Sequence, residues 1–196
     1  MTTRVPVIDA ILNRRSVAPR RQVPPGPGPA DVRLMVEAAI AAPDHGRLRP
    51  WRFVLVEEKD RASLAALFAA AAREHDPDAP PQAAEREAEK ARHGAVLLAV
   101  VVRIVEDHPV APAHEQWASA GAAVQNMLLA AESLGFGAMI VSGKKVTSAV
   151  LRNAFAGAAD EHLMGFVAIG TPSDGPPRAQ RPEPEDHLST WIPAGS

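Results

Sequence analysis

The sequence predicts a mixed α/β or α+β sandwich, a sheet covered by helices, and three observations carry that prediction. Four short runs, "WRFVLVEE", "GAVLLAVVVRI", "FGAMIVSG" and "LMGFVAIGTP", are rich in the β-branched and apolar residues that suit strands. Between them lie longer segments whose apolar residues recur at helical spacing. No glycine-rich turn joins a first strand to a helix, which argues against a nucleotide-binding crossover. Gly135-Phe136-Gly137 looks like half of such a fingerprint, but it follows a helix and precedes a strand, which is the wrong order. The 196 residues suffice for a single domain over 1–196 with a core of its own and a C-terminal arm from about residue 173.

Each element has its local reason. "VPVIDAILN" places Val7, Ile8, Ile11 and Leu12 on one side of a short helix ending at Arg14, Arg15 and Ser16. The proline-rich "VAPRRQVPPGPGP" is expected to be extended loop. Asp31 helps start a second helix whose apolar face runs Val32, Met35, Val36, Ala39 and Ile40, and Pro43 stops it. "RASLAALFAAAAREH" is helical on propensity alone. The following "DPDAPPQAAEREAEKARH" is polar and proline-broken, then helical. It reads as a solvated face or, given its length, a candidate lid. "GAVLLAVVVRI" is continuous enough to be a strand buried on both faces. The longest helix spans about Ala113 to Leu134, with an expected buried stripe of Trp117, Gly121, Val124, Leu128, Ala131 and Leu134. Its Ala/Gly middle suits close helix packing in a core or between subunits, and Gly135 caps it. "TSAVLRNAFAG" makes a further helix, and the tail from Ser173 is proline-rich with Trp191 near its end.

Composition excludes several function classes. The chain is 46% hydrophobic but only 4% aromatic, so small side chains build much of the core and a partner subunit is a natural source of further burial. A net charge of −2 with interspersed signs leaves no electrostatic footprint for nucleic acid. The absence of cysteine removes disulfides, thiolate nucleophiles and cysteine metal sites. No apolar run has the length of a membrane span and no secretory signal opens the chain, so a soluble, cytoplasmic protein is expected.

One connector, "APDHGRLRPW" over 42–51, carries more chemistry than a loop requires. It holds Asp44, His45, Arg47 and Arg49 between Pro43 and Pro50, with Trp51 as an apolar anchor. His45 with Asp44 reads either as a base and its orienter or as a turn braced by its own hydrogen bonds. Arg14, Arg15 and Ser16 read either as cations favouring a helix C-terminus or as a phosphate clamp, because guanidinium forks and a hydroxyl match a monoester phosphate and a polyol. His108, His114 and Glu115 lack the helical HExxH spacing of a metal site and are expected to face solvent. Ser142 lacks a nucleophile elbow and a triad, which counts against a hydrolase.

Taken in order, "NRRS", "APDHGRLRPW" leading into "RFVLVE", "WASAGAAVQNMLLAAESLG", "GAMIVSG" and "GFVAIGTP" closely resemble the nitroreductase family of FMN-dependent oxidoreductases. The likeness is to its compact bacterial NAD(P)H nitroreductase branch, and it spans about residues 5 to 192. It implies an α+β fold, an α/β/α sandwich with a mainly antiparallel central sheet, and a homodimer with FMN at the subunit interface. Arg14, Arg15 and Ser16 inherit the flavin phosphate and ribityl chain. His45 approaches the isoalloxazine as the catalytic candidate, beside Arg49. Ile140, Val141, Ser142 and Gly143 lie along the flavin, and the C-terminal tail wraps the partner. The implied activity passes hydride from NAD(P)H through FMN to a small aromatic, nitro or quinone-like acceptor in a ping-pong cycle. A flavin-binding store or sensor without turnover is the competing class. No metal is implied. The sequence departs from close relatives at Ala41, where they often carry arginine, and at Ile140-Val141-Ser142-Gly143, where they show "WRSG"; Arg49 compensates for one of these cations in this reading.

Overall fold

The protein's structure, a computed structural model, describes residues 5–174 and 180–194. In chain order the elements are α1 (Pro6–Asn13), β1 (Gln22–Val23), α2 (Pro29–Ile40), β2 (Trp51–Val56), α3 (Arg61–His75), α4 (Pro81–Glu89), β3 (Val96–Arg103), α5 (Ala113–Ser133), β4 (Gly137–Val141), α6 (Ala149–Phe155) and β5 (Glu161–Pro172). Residues 175–179 of the expected arm, and its last two, lie outside the described residues.

Every strand pairing is antiparallel, which settles the architecture as α+β. The sheet runs β1-β5-β3-β2, with β4 also paired to β5. Its spine is β5, twelve residues long, and a bulge between Val100 and Val101 bends its partner β3. Strand alternation sends side chains to two buried faces. One face packs Val100, Val167 and Ile169 against Met35 and Ala39 of α2 and Met127 of α5. The other packs Val101, Phe166 and Ala168 against Leu64 and Phe68 of α3 and Leu151 of α6. There Phe166 meets Phe68 and Phe155 edge to face, with centroids 5.2 and 5.3 Å apart, contacts worth about 0.5–1.5 kcal/mol each beyond their area.

Helix ends follow the sequence signals. The Asp31 carboxylate accepts from the Gly28 amide at 2.9 Å, so α2 starts at Pro29, before Asp31 itself. Ser148 accepts from the Leu151 amide at 3.1 Å and caps α6. Gly135 follows α5 with φ +87, the left-handed conformation a terminating glycine supplies.

Two expectations are corrected. The proline-rich segment after Ser16 is not wholly loop: it carries a 3-10 turn at Pro19–Arg21 and then β1, because the Gln22 and Val23 backbones find partners beyond the end of the β4–β5 ladder. The buried face of α5 is rotated from the expected stripe. Gln116, Ala120, Ala123, Val124, Met127, Leu128 and Ala131 are buried, whereas Trp117 is exposed and Gly121 and Leu134 are only half-buried. A Cβ placed on Gly121 meets nothing within 4 Å. Within one chain, the smooth side of α5 is therefore an outer surface.

Candidate functional site

The Arg14–Ser16 segment is fixed to β4 rather than hanging from α1. Ser16 forms an isolated parallel bridge with Ala138, and the Val17 amide donates to the Ala138 carbonyl at 3.2 Å. Gln22, buried at 6% exposure, donates from Nε2 to the carbonyls of Val17 (2.8 Å) and Ala168 (3.1 Å), tying the same segment to β5. Three arginines converge at the end of α1. Arg15 Nη1 donates to the carbonyls of Leu12 (2.8 Å) and Arg14 (2.9 Å). Arg14 Nη1 donates to Ser16 Oγ at 3.3 Å. Arg181, from the tail, donates to the Arg14 carbonyl at 2.8 Å. Two of these guanidiniums satisfy helix-end carbonyls, as the helix-end reading expects, and Arg14 alone meets the serine hydroxyl.

Beyond this segment opens an inner cleft of about 370 Å³. Its apolar wall comes from Phe166 and Ala168 of β5 and Val141 of β4, and cations rim it at Arg20, Lys90 and Lys145. Val141 lies three residues, or about 10 Å of strand, from the Ser16–Ala138 bridge. Ser142 Oγ donates to the Met164 carbonyl at 3.0 Å, and Gly143 follows at φ +83, ψ −174, a conformation open essentially to glycine alone. Lys145, in the turn after Gly143, is half-buried, its Nζ 4.0 Å from the Phe68 ring centroid and 3.4 Å from Glu87 Oε2. Burial pushes the Lys145 ammonium below the usual lysine range, and Glu87 partly restores it. Burial would raise Glu87, but its bonds to Lys90 and Lys145 outweigh that and hold it below the ordinary carboxylate value.

The "APDHGRLRPW" loop is braced by its own hydrogen bonds, the second of its two readings. The Asp44 carboxylate accepts from the amides of Leu48 (3.2 Å) and Arg49 (2.7 Å), closing the loop and holding Arg49 at φ +50. The orienter of His45 is not Asp44 but Glu115, in the first turn of α5, whose Oε2 lies 2.6 Å from His45 Nδ1. Glu115 and His108 are accordingly not idle surface groups: His108 Nδ1 accepts from the amides of Val110 and Ala111 behind Gly46. Trp51 is half-buried against the α2–α5 core, as its anchoring role requires.

These pieces do not meet within one chain. His45 stands at the start of α5, whereas Val17 packs on Gly137 just past its end, so the length of that helix, about 30 Å, separates them. The sheet registers agree. The loop enters the sheet at Trp51↔Val102, near the Glu161 end of β5, while Ser16 bridges Ala138, opposite Ile169. Several large apolar side chains are exposed. The apolar side of α1 (Val7, Ile8, Ile11, Leu12), Trp117, and Leu188, Trp191 and Ile192 of the tail all face outward.

Sequence reasoning missed Arg20, Lys90, Lys145 and Arg181. Lys145 lies two residues past Gly143 of the "VSG" strand end, a positional signal. Lys90 sat in a charge-alternating helix that reads as solvated surface.

An apolar cleft rimmed by cations, with a guanidinium cluster about 10 Å away along β4, lies on a helix-covered antiparallel sheet. The Nitroreductase family model matches residues 11–171. YdjA of Escherichia coli K12, assigned by name to the NAD(P)H nitroreductases, is 32% identical over 169 residues, 84% of this chain and 87% of that protein. A Haemophilus influenzae protein of the same assignment is 34% identical over 148 residues, 75% of this chain and 79% of its own length. A Desulfovibrio desulfuricans protein assigned by name as a nitroreductase, solved in complex with FMN, superposes with TM-score 0.72 at 27% identity over 97% of this chain and all of that one. A Bacillus cereus nitroreductase-like family protein reaches TM-score 0.83 at 19% identity, covering 97% and 98% of the two chains. The chain belongs to the nitroreductase family, and with it to the FMN-dependent oxidoreductases. Among the described residues no helix is long and apolar enough to cross a membrane.

Proposed function

We propose that two copies of this chain bind two FMN molecules between them and pass hydride from NAD(P)H to a small aromatic, nitro or quinone-like acceptor in a ping-pong cycle. Bound FMN supplies the redox chemistry, accepting hydride and returning it. The residues present fit that group. Arg14, Arg15 and Ser16, joined by Arg181, hold the phosphate with charge-assisted hydrogen bonds. Ile140 to Gly143 run along the ring, and Gly143 lets the backbone turn without a side chain in the way. Arg20, Lys90 and Lys145 supply positive charge to the reduced cofactor, offsetting the arginines that relatives carry where this chain has Ala41 and Val141.

His45 and Arg49 reach this site from the partner subunit. The observation that carries the shared site is the ~30 Å of α5 between His45 and the Arg14–Ser16 segment, which exceeds the span of one flavin mononucleotide. Glu115 holds His45 by Nδ1, which leaves Nε2 to give or take a proton at the substrate. The exposed apolar tail then packs on the partner.

Anaerobic mixing of the flavin-loaded protein with NADPH or NADH tests the proposal. Bleaching of the flavin band, and its return on adding menadione or a nitroarene, is the expected result. A loaded protein that neither nucleotide bleaches is a flavin-binding protein without turnover, and the enzyme reading fails. Riboflavin and FMN titrations of Arg14→Ala and Arg15→Ala test the clamp: equal losses for both flavins would show that no phosphate is read.

A further inference from the structure

Past the Ser142–Gly143 turn, the inner cleft continues into an outer one of about 520 Å³ between α3, α4 and the Lys144–Lys145 segment. The two share Lys90, Ser142 and Lys145, so they adjoin and one molecule can span both. The floor of the outer cleft is small and apolar, made by Ala71, Ala72, Ala79 and Ala83. Four cationic side chains, Arg86, Lys90, Lys144 and Lys145, surround it against two carboxylates, Asp76 and Glu87. Glu87 is already engaged by both Lys90 and Lys145. Arg86 and Lys144 are exposed and, among the described residues, form no ion pair. The outer cleft therefore has cationic charge left over, beside a floor that accepts a flat ring edge.

We propose that this outer cleft is the subsite for the anionic group, a carboxylate or a phosphate, of the molecule that exchanges hydride in the inner cleft. Arg86 and Lys144 meet the anion, and the alanine floor carries the apolar part between anion and reacting ring. The subsite rests on the flavin assignment for its neighbour, yet its own charges can be probed apart from turnover. It also gives α4, polar and proline-broken at its start, a functional reason to be charged on its cleft side.

The double variant Arg86→Ala/Lys144→Ala leaves the ion pairs of Glu87 and the Arg14–Ser16 segment untouched, so flavin occupancy and thermal stability stay as in the wild type. Calorimetry with 4-nitrobenzoate reads binding without turnover, and steady-state kinetics compare 4-nitrobenzoate with nitrobenzene and NADPH with NADH. Losing charge-assisted hydrogen bonds predicts roughly a 10–100-fold weaker response to the anionic compound, with nitrobenzene turnover unchanged. A loss confined to 4-nitrobenzoate identifies a carboxylate-bearing acceptor. A loss seen in KM for the dinucleotides, larger for NADPH, identifies nucleotide phosphate. Arg86→Glu/Lys144→Glu should enlarge whichever effect appears. Equal binding and equal KM values in the wild type and both variants overturn the subsite while leaving the flavin assignment intact. Failure of the flavin band to respond to either nucleotide overturns the enzyme reading rather than the flavin site, and calorimetry still decides the subsite.

Discussion

Gly137→Ala offers a geometric test of how the Arg14–Ser16 segment is held. A Cβ on Gly137 would stand 2.7 Å from Val17 Cγ2 and 2.8 Å from Val17 Cβ. Carbon atoms in ordinary contact sit about 3.5–4.0 Å apart, so the shortfall is about 1 Å. A rotamer change cannot relieve it, because one of the clashing atoms is Cβ itself and Val17 is 4% exposed with its χ1 confined by branching. The backbone around Val17 must move instead, lengthening the 3.2 Å Val17–Ala138 hydrogen bond and carrying Ser16 with it. Overpacking of this kind costs about 1–3 kcal/mol of stability. Displacing the phosphate donors by a similar distance should weaken one charge-assisted contact, about 1.5–3 kcal/mol, or roughly 10–100-fold in FMN affinity. Riboflavin, lacking the phosphate, should lose far less. Removing the obstructing side chain as Val17→Gly in the same chain should recover part of the FMN affinity. Urea unfolding of the apoprotein and fluorescence titration with both flavins supply the numbers. Wild-type FMN affinity in a stable Gly137→Ala protein would refute the coupling between β4 and the phosphate site.

Three further outcomes are expected. Gly121→Leu should leave the isolated chain folded, since nothing beyond its own helix lies within 4 Å of a Cβ there, yet abolish the proposed dimer and flavin retention together; light scattering after size exclusion checks this, and a flavin-loaded monomer contradicts it. His45→Ala should slow the reoxidation step by about 100-fold or more with FMN still bound, and Glu115→Ala by less, because it frees the ring without deleting it; stopped-flow traces indistinguishable from wild type would remove both residues from the chemistry. The Arg52 hydrogen bonds hold the Glu161 carboxyl down at about 2, against 4.5 for an ordinary glutamate, with burial opposing and the Gly157 amide assisting. A lowered folded-state value means stability present above pH 4.5 and lost as pH falls from there through about 2; after discounting for solvent screening the loss is about 1 kcal/mol. Glu161→Gln should flatten urea-derived stability across that window, and an unchanged slope would discount the pair.

What the sequence could and could not convey follows from the range of the forces involved. Strand runs and helix ends are local, so Asp31 and Gly135 announce their roles within a few residues. The face of α5 was misread because its middle, Ala118 to Ala123, is nearly uniform in size. With little contrast around the helix, Trp117 and Gly121 fit an apolar stripe as well as the buried residues do, and only packing against α2 and the sheet selects among the faces. The partner of His45 was invisible for a different reason: Glu115 is seventy residues away, and nothing in Asp44's position beside His45 reveals that its carboxylate is occupied by the Leu48 and Arg49 amides. Lys90 and Lys145 are likewise brought together by Glu87 across the gap from α4 to the turn after β4, a contact that charge patterning along one helix cannot show. The same reasoning explains why the two chemically loaded motifs are both legible and yet far apart. Each is a local device, a helix end or a stiff loop, and each sits at an opposite end of α5. The proposed dimer would bring such ends together, with a second chain seated on the apolar surfaces that this one leaves exposed.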